Sequence, residues 1–176
     1  MTGDPLELFR EWIEGEDVAL ATATRDGRPS VRMVLCKGAD ERGFTFFSNY
    51  ESRKGRELDE NPHAALLFHR PGRQVRVEGR VERVPAAESE AYWATRPAPS
   101  RRSAAASRQS EPIESREALE AAVAAQPDQP PRPGSWGGYR LVPDTYEFWE
   151  HRDDRLHDRH LFKRCGEGWT VVRLQP

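Results

Sequence analysis

The segment Gln74 to Val84 alternates along its length: Val75, Val77 and Val81 fall on one side, Gln74, Arg76, Glu78, Arg80 and Glu82 on the other. A period of two is the repeat of a strand with one dry face, since successive side chains leave a pleated backbone in opposite directions. Such a strand needs neighbours in a sheet and a core beneath it. The chain offers them in short segments: Val18 to Thr24, Ser30 to Lys37, Gly43 to Ser48 and Ala64 to Phe68, then Tyr139 to Val142, Thr145 to Glu150, His160 to Arg164 and Trp169 to Leu174. Asp26-Gly27 and Pro71-Gly72 read as turns between consecutive strands.

Helices are fewer. Asp4 is placed to cap one that runs to about Ile13, with Pro5 in its first turn, and Ser52 to cap a charged one that stops before Pro62. Residues 86–95 and 116–125 also read as helical. The basic, Ser/Ala-rich stretch 96–110 is either a flexible loop or a segment that covers a ligand, and residues 127–134, with four prolines, form an extended connector. The expected fold class is therefore mainly β or α+β, a β-barrel with peripheral helices, in a single domain over residues 1–176.

Composition narrows function. With 36% hydrophobic against 32% charged residues the core must be thin, so a second copy of the chain can complete the apolar surface. A net charge of −2 argues against nucleic acid as a partner. No apolar run is long enough for a membrane span, the stretch Met1 to Pro5 lacks an apolar signal core, and Cys36 and Cys165 form no disulfide framework, which together suit a soluble protein of the reducing cytoplasm.

Two basic constellations stand out. Ser52-Arg53-Lys54 opens a helix, where free N–H groups and the positive dipole end favour an anion. Far downstream, Arg155-Leu156-His157-Asp158-Arg159 would place residues 155, 157 and 159 on one face if the segment is an extended strand. Together they suggest phosphate recognition from two directions. His151, His157 and His160 lack a standard ligand spacing, so no metal site is expected.

The blocks R-M-V-L-C-K (32–37), F-F-S-N-Y-E-S-R-K (46–54), R-Q-V-R-V-E-G (73–79), Y-W-A-T-R-P (92–97), S-R-Q-S (107–110), W-G-G-Y-R (136–140), E-F-W (147–149), R-L-H-D-R (155–159) and R-L-Q-P (173–176) occur in the order of one family. The chain resembles the pyridoxine/pyridoxamine 5′-phosphate oxidases, and the related flavin oxidases of phenazine biosynthesis share much of the set. The resemblance implies an FMN-binding split β-barrel and a homodimer with FMN sites at the subunit interface. It assigns Arg32, Ser52, Arg53 and Lys54 to the FMN phosphate and Phe47, Ser48, Gln74, Gln109, Ser110, Trp149 and Arg159 to other flavin contacts. Lys37, Tyr92, Arg96 and Ser100 would hold the phosphate of a small phosphorylated substrate, and Arg155 and His157 would meet its ring and act in catalysis. The set from Arg32 to Lys54 and the set from Gln109 to Arg159 are expected from different subunits.

The expected activity is oxidation of pyridoxine or pyridoxamine 5′-phosphate to pyridoxal 5′-phosphate with O2 as acceptor, giving H2O2. Departures from the family pattern surround the substrate: a short N-terminus, an abbreviated connection before Val18 and replaced residues at 98–106. A phenazine-type oxidase with another substrate, or a non-catalytic flavin- or haem-binding barrel, are the alternatives.

Overall fold

The computed structural model describes residues 3–176; Met1 and Thr2, part of the stretch read above as lacking a signal core, lie outside the described residues. Helix α1 (Pro5–Trp12) precedes strands β1 (Asp17–Ala23), β2 (Pro29–Asp40) and β3 (Gly43–Asn49). Helix α2 (Arg53–Glu60) leads to β4 (His63–Arg70) and β5 (Arg73–Arg83). Helices α3 (Ala86–Thr95), α4 (Ala98–Ala106) and α5 (Arg116–Ala124) follow, then β6 (Trp136–Glu150), β7 (Asp158–Cys165) and β8 (Gly168–Arg173). No helix among the described residues is long and apolar enough to cross a membrane.

The strands run antiparallel in the order β3-β2-β1-β4-β5-β6, and β3 pairs back onto β6 to close a six-stranded barrel. Closure removes the edges that would otherwise expose unpaired backbone. Strand β6 belongs to two systems. Its first part pairs with β3, from Asn49↔Trp136 to Phe44↔Leu141, and its last part with β7, from Thr145↔Lys163 to Glu150↔Asp158, while β5 follows it along the other side.

The valines of the alternating strand point inward as the period requires: Val75 and Val77 are fully buried, with Val18, Leu20, Phe44, Leu66, Phe68 and Phe148 around them. Helix α1 closes one end of the barrel. Asp4 accepts from the Leu6 N–H (2.9 Å) to cap it, and Phe9 meets Phe44 and Phe68 edge to face at 4.9 and 4.8 Å.

The outer face of β2 breaks the usual polar-out rule. Val31 is 70% and Met33 63% exposed, with Leu35 beyond them. Register places Ala21 beside Val31 and Ala19 beside Met33, then Ala65 and Leu67 of β4 on the far side of β1. The result is a continuous apolar patch on one wall of the barrel, the kind of surface a second protein covers.

Three expectations are corrected. Residues 98–106 form α4 rather than a loop: Pro97 precedes it and Pro99 lies in its first turn, where a missing N–H costs nothing. Residues 139–142 and 145–150 are one strand, because the irregularity at Pro143 is absorbed by a register shift between Glu78 and Gly79. Arg155 and His157 are not on a strand; β7 begins only at Asp158. The preceding segment turns instead, with the Arg155 N–H on the Arg152 carbonyl (3.1 Å), the Leu156 N–H on the Asp154 carboxylate (3.0 Å) and Arg155 itself at φ 67°.

Phe44 joins α1 to both halves of the barrel, touching Phe9, Phe68 and Tyr146. Phe44→Ala should lower unfolding free energy by about 3–5 kcal/mol in urea denaturation; a loss below about 1 kcal/mol would show that α1 is not held by this aromatic contact.

Candidate functional site

The turn from β3 into α2 is built by Ser52, which is fully buried. Its hydroxyl accepts from the Gly55 N–H (3.3 Å) as an N-cap and donates to the Asn49 carbonyl (2.7 Å). Capping fixes the helix start, so the next residues leave it in set directions. Lys54 turns inward and donates to the Ser48 hydroxyl (3.0 Å) and to Gln109 Oε1 (2.8 Å). Among the described residues no carboxylate pairs with its ammonium directly. Burial lowers its pKa to about 8, with repulsion from Arg32 adding to the effect.

One turn later, Glu57 is almost wholly buried and organises the neighbouring cations. It accepts from Thr22 (2.5 Å), Ser30 (2.6 Å), Arg53 Nε (2.9 Å) and Arg32 Nη2 (3.3 Å). Burial alone would raise its pKa; the hydrogen bonds from Ser30, Thr22 and Arg53 and the charge of Arg32 hold it down at about 2. Arg32 is further fixed by the Leu20 carbonyl (3.1 Å). A carboxylate with this many donors is a rigid anchor for two arginines at a helix start.

Beside this clamp lies a cavity of about 540 Å³, lined among others by Lys37, Phe47, Ser48, Lys54, Tyr92 and Arg96. Ser100, on α4, and Gln109 also face it. The Phe47 ring stacks on Tyr92 at 4.0 Å, and Arg96 lies over Trp136 at 4.7 Å and Trp93 at 5.3 Å. Glycine at 138 permits this: a Cβ there would come within 2.8 Å of the Phe47 ring and 2.5 Å of Val84. Arg96 Nη1 is buried without a hydrogen-bond partner among the described residues, and burial lowers the pKa of the guanidinium despite the nearby Tyr92. Lys37 is paired with Glu16.

The remaining residues gather elsewhere. Register sets Gln74 beside Trp149 and Trp149 beside Arg159, a row across β5, β6 and β7. In the neighbouring row Glu147, 3% exposed, takes Arg76 at 2.7 Å and Arg159 at 2.6 Å. His157 stands 4.7 Å from the Trp149 ring, and its Nδ1 accepts the Arg152 N–H (3.1 Å), which leaves Nε2 as the hydrogen-bearing nitrogen of the neutral ring. Arg155 is exposed on the same loop. His151 is 5.3 Å from His157, yet no group of three His, Cys, Asp or Glu among the described residues could hold a metal ion.

The candidate residues thus fall into two clusters. Arg32, Phe47, Ser48, Ser52, Arg53, Lys54 and Gln109 adjoin the cavity with Lys37, Tyr92, Arg96 and Ser100. Gln74, Trp149, His157 and Arg159 lie together, with Arg155 on their loop. The division differs from the expected one. Gln109 belongs with Lys54 in the same chain, because the segment after α4 returns to the end of β3; Ser110, at φ 75°, is exposed beside it and does not line the cavity. Sequence reasoning missed Glu57, Glu147, Glu16 and Trp136. Only Glu57 carried a local signal, its i, i+4 spacing from Arg53.

Comparison with known proteins places the chain in a family. Residues 6–126 match the family model described as pyridoxamine 5′-phosphate oxidase, and residues 136–176 match the pyridoxine 5′-phosphate oxidase C-terminal dimerisation region. The pyridoxine/pyridoxamine 5′-phosphate oxidase of Gluconobacter oxydans is 50% identical, covering 100% of this chain and 96% of its own length. The protein of that name from Paraburkholderia phymatum is 56% identical over 98% of this chain and 89% of its own. Among solved structures, PhzG from Burkholderia lata, in complex with tetrahydrophenazine-1-carboxylic acid, superposes with a TM-score of 0.91 at 35% identity, covering 99% of this chain and 94% of its own. Matched along nearly its whole length, the chain belongs to the pyridoxamine 5′-phosphate oxidase family of oxidoreductases.

Proposed function

We propose that the chain is an FMN-dependent oxidase that converts pyridoxine or pyridoxamine 5′-phosphate to pyridoxal 5′-phosphate, consuming O2 and releasing H2O2. It works as a cytoplasmic homodimer of single-domain subunits, with an FMN site at each end of the interface. The observation that carries this reading is the buried, unpartnered Nη1 of Arg96 in the cavity it shares with Lys37, Tyr92 and Ser100. A buried cation with an empty donor calls for an anion, and two hydroxyls and two cations suit a phosphate dianion. For that reason the pyridoxine phosphates are favoured over the phenazine-type substrate that the likeness to PhzG would suggest.

The donor set also fits FMN. Arg32, Ser52, Arg53 and Lys54 would hold its phosphate at the start of α2, with Phe47, Ser48, Gln109 and Ser110 along the same chain's side of the flavin. Gln74, Trp149 and Arg159 would come from the second copy. When bound, the flavin supplies the two-electron acceptor that O2 regenerates.

The chain's own groups place and polarise the substrate. Lys37, Tyr92, Arg96 and Ser100 fix its phosphate, which aligns the 4′ carbon for loss of hydride. Arg155 of the second copy stabilises charge that develops on the ring, and His157 offers its Nε2 hydrogen to a ring substituent. As the hydride leaves carbon, the amine gives up an N–H proton to solvent and becomes an imine, which water hydrolyses to the aldehyde and ammonium; the alcohol gives up its O–H proton in the same way and yields the aldehyde directly. The stacked Phe47, Tyr92 and Trp136 keep one wall of the pocket dry.

Lys54 makes flavin affinity pH-dependent. With its pKa lowered to about 8, the lysine of the empty site is neutral above that pH. A phosphate dianion recruits the ammonium form, so binding then takes up a proton. Above pH 8, affinity for FMN should fall by up to about tenfold per pH unit in a fluorescence titration, while that for riboflavin stays level. Parallel profiles for the two flavins would remove Lys54 from the phosphate site.

Arg96 and Arg155 should separate binding from chemistry. Arg96→Ala should raise KM for pyridoxamine 5′-phosphate by roughly 10- to 100-fold, and Arg155→Ala should lower kcat/KM. Both variants should keep the visible flavin absorption band. Unchanged turnover in both would overturn the substrate assignment.

A further inference from the structure

The short connection between α1 and β1 brings Glu16 to Lys37, which lines the cavity. Its backbone is tied down, since its carbonyl accepts the Cys36 N–H of β2 at 2.7 Å. Its carboxylate pairs with Lys37, and the two partners differ in freedom: the Glu16 side chain is 52% exposed, that of Lys37 only 21%. The lysine is the fixed member and the carboxylate the movable one.

The two cations of the proposed phosphate pocket are therefore in different states. Arg96 has a buried donor with no partner, whereas Lys37 already holds an anion from its own chain. A carboxylate and a phosphate dianion on one ammonium repel each other at a separation well inside a Debye length, where salt does not remove the repulsion. We infer that Glu16 is a competing internal anion that the substrate's phosphate must displace from Lys37, so that this residue sets affinity and selects for dianionic ligands. The inference rests on the phosphate reading of the pocket. Displacement asks little of the fold, because the side chain can swing into solvent while the Glu16 carbonyl keeps its bond to Cys36. A dianion that also engages Arg96 gains enough to displace the carboxylate, and a singly charged anion gains less. Glu16 touches none of the groups assigned to the flavin or to the substrate ring, so it acts on binding alone.

The test uses the full-length holoenzyme with Glu16→Gln, Lys37→Met and the double variant, with pyridoxamine 5′-phosphate as substrate and inorganic phosphate as competitor. Glu16→Gln should lower KM and the phosphate inhibition constant by about fivefold, the scale of one half-exposed ion pair, with kcat, flavin content and melting temperature unchanged. On the Lys37→Met background the same change should do nothing, because the group it competes for is gone. If Lys37→Met raises KM but Glu16→Gln leaves it unchanged or raises it, the competition is refuted while the phosphate pocket stands. If Lys37→Met leaves KM unaltered, the phosphate reading itself fails and takes this inference with it.

Discussion

Strand β6 is the constraint on which the site depends. It starts with Trp136 in the wall of the cavity and carries Trp149 near its other end. Those ends are on the order of 40 Å apart along an extended strand. One chain therefore carries the two clusters of the proposed flavin site at well-separated places on the same strand. The same strand closes the barrel through β3 and then leaves it for β7, so the separation is a consequence of the fold itself. A second copy related by a two-fold axis lets the first half of each chain face the second half of the other. The apolar wall of Val31, Met33, Ala19 and Ala21 supplies a surface for that contact, and the match of residues 136–176 to a dimerisation region points the same way.

Each of the two clusters is stiffened by one buried carboxylate. Glu57 holds Arg32 and Arg53 at the start of α2, and Glu147 holds Arg76 and Arg159 on the outer face of β6. A buried anion among arginines is a poor source of net stability, since desolvation offsets much of the attraction. Its value lies in geometry: planar guanidinium groups fixed before a ligand arrives lose little freedom when they bind it. Lys54 and Arg96 show the complementary arrangement, cations partly stripped of water with donors left for an anion.

The barrel was legible in the sequence because its strands alternate and their turns carry glycine, proline and aspartate. The cap at Ser52 was legible for an equally local reason. Helix α4 was not, because it buries no residue and has no apolar period to reveal it. The loop before β7 misled, since its alternating charges imitate a strand while its shape is set by Asp154 and the turn at Arg155. Family resemblance named the candidate binding residues, but neither Glu57 nor Glu147 appeared among them: a buried carboxylate is defined by what surrounds it in space. The place of Gln109 failed for the same reason, because chain order says nothing of how the segment after α4 turns back to Ser48.

The central claim is that each flavin site takes one half from each chain. Lys54→Glu breaks the first half and Arg159→Glu the second, so each variant alone should form a colourless, inactive dimer. The two chains, co-expressed with different tags and isolated as a heterodimer, should regain one intact site of two and so about half the flavin and turnover of the unaltered dimer. A heterodimer as empty as its parents would contradict the shared site, as would a homodimer of either variant that kept both its FMN and its activity.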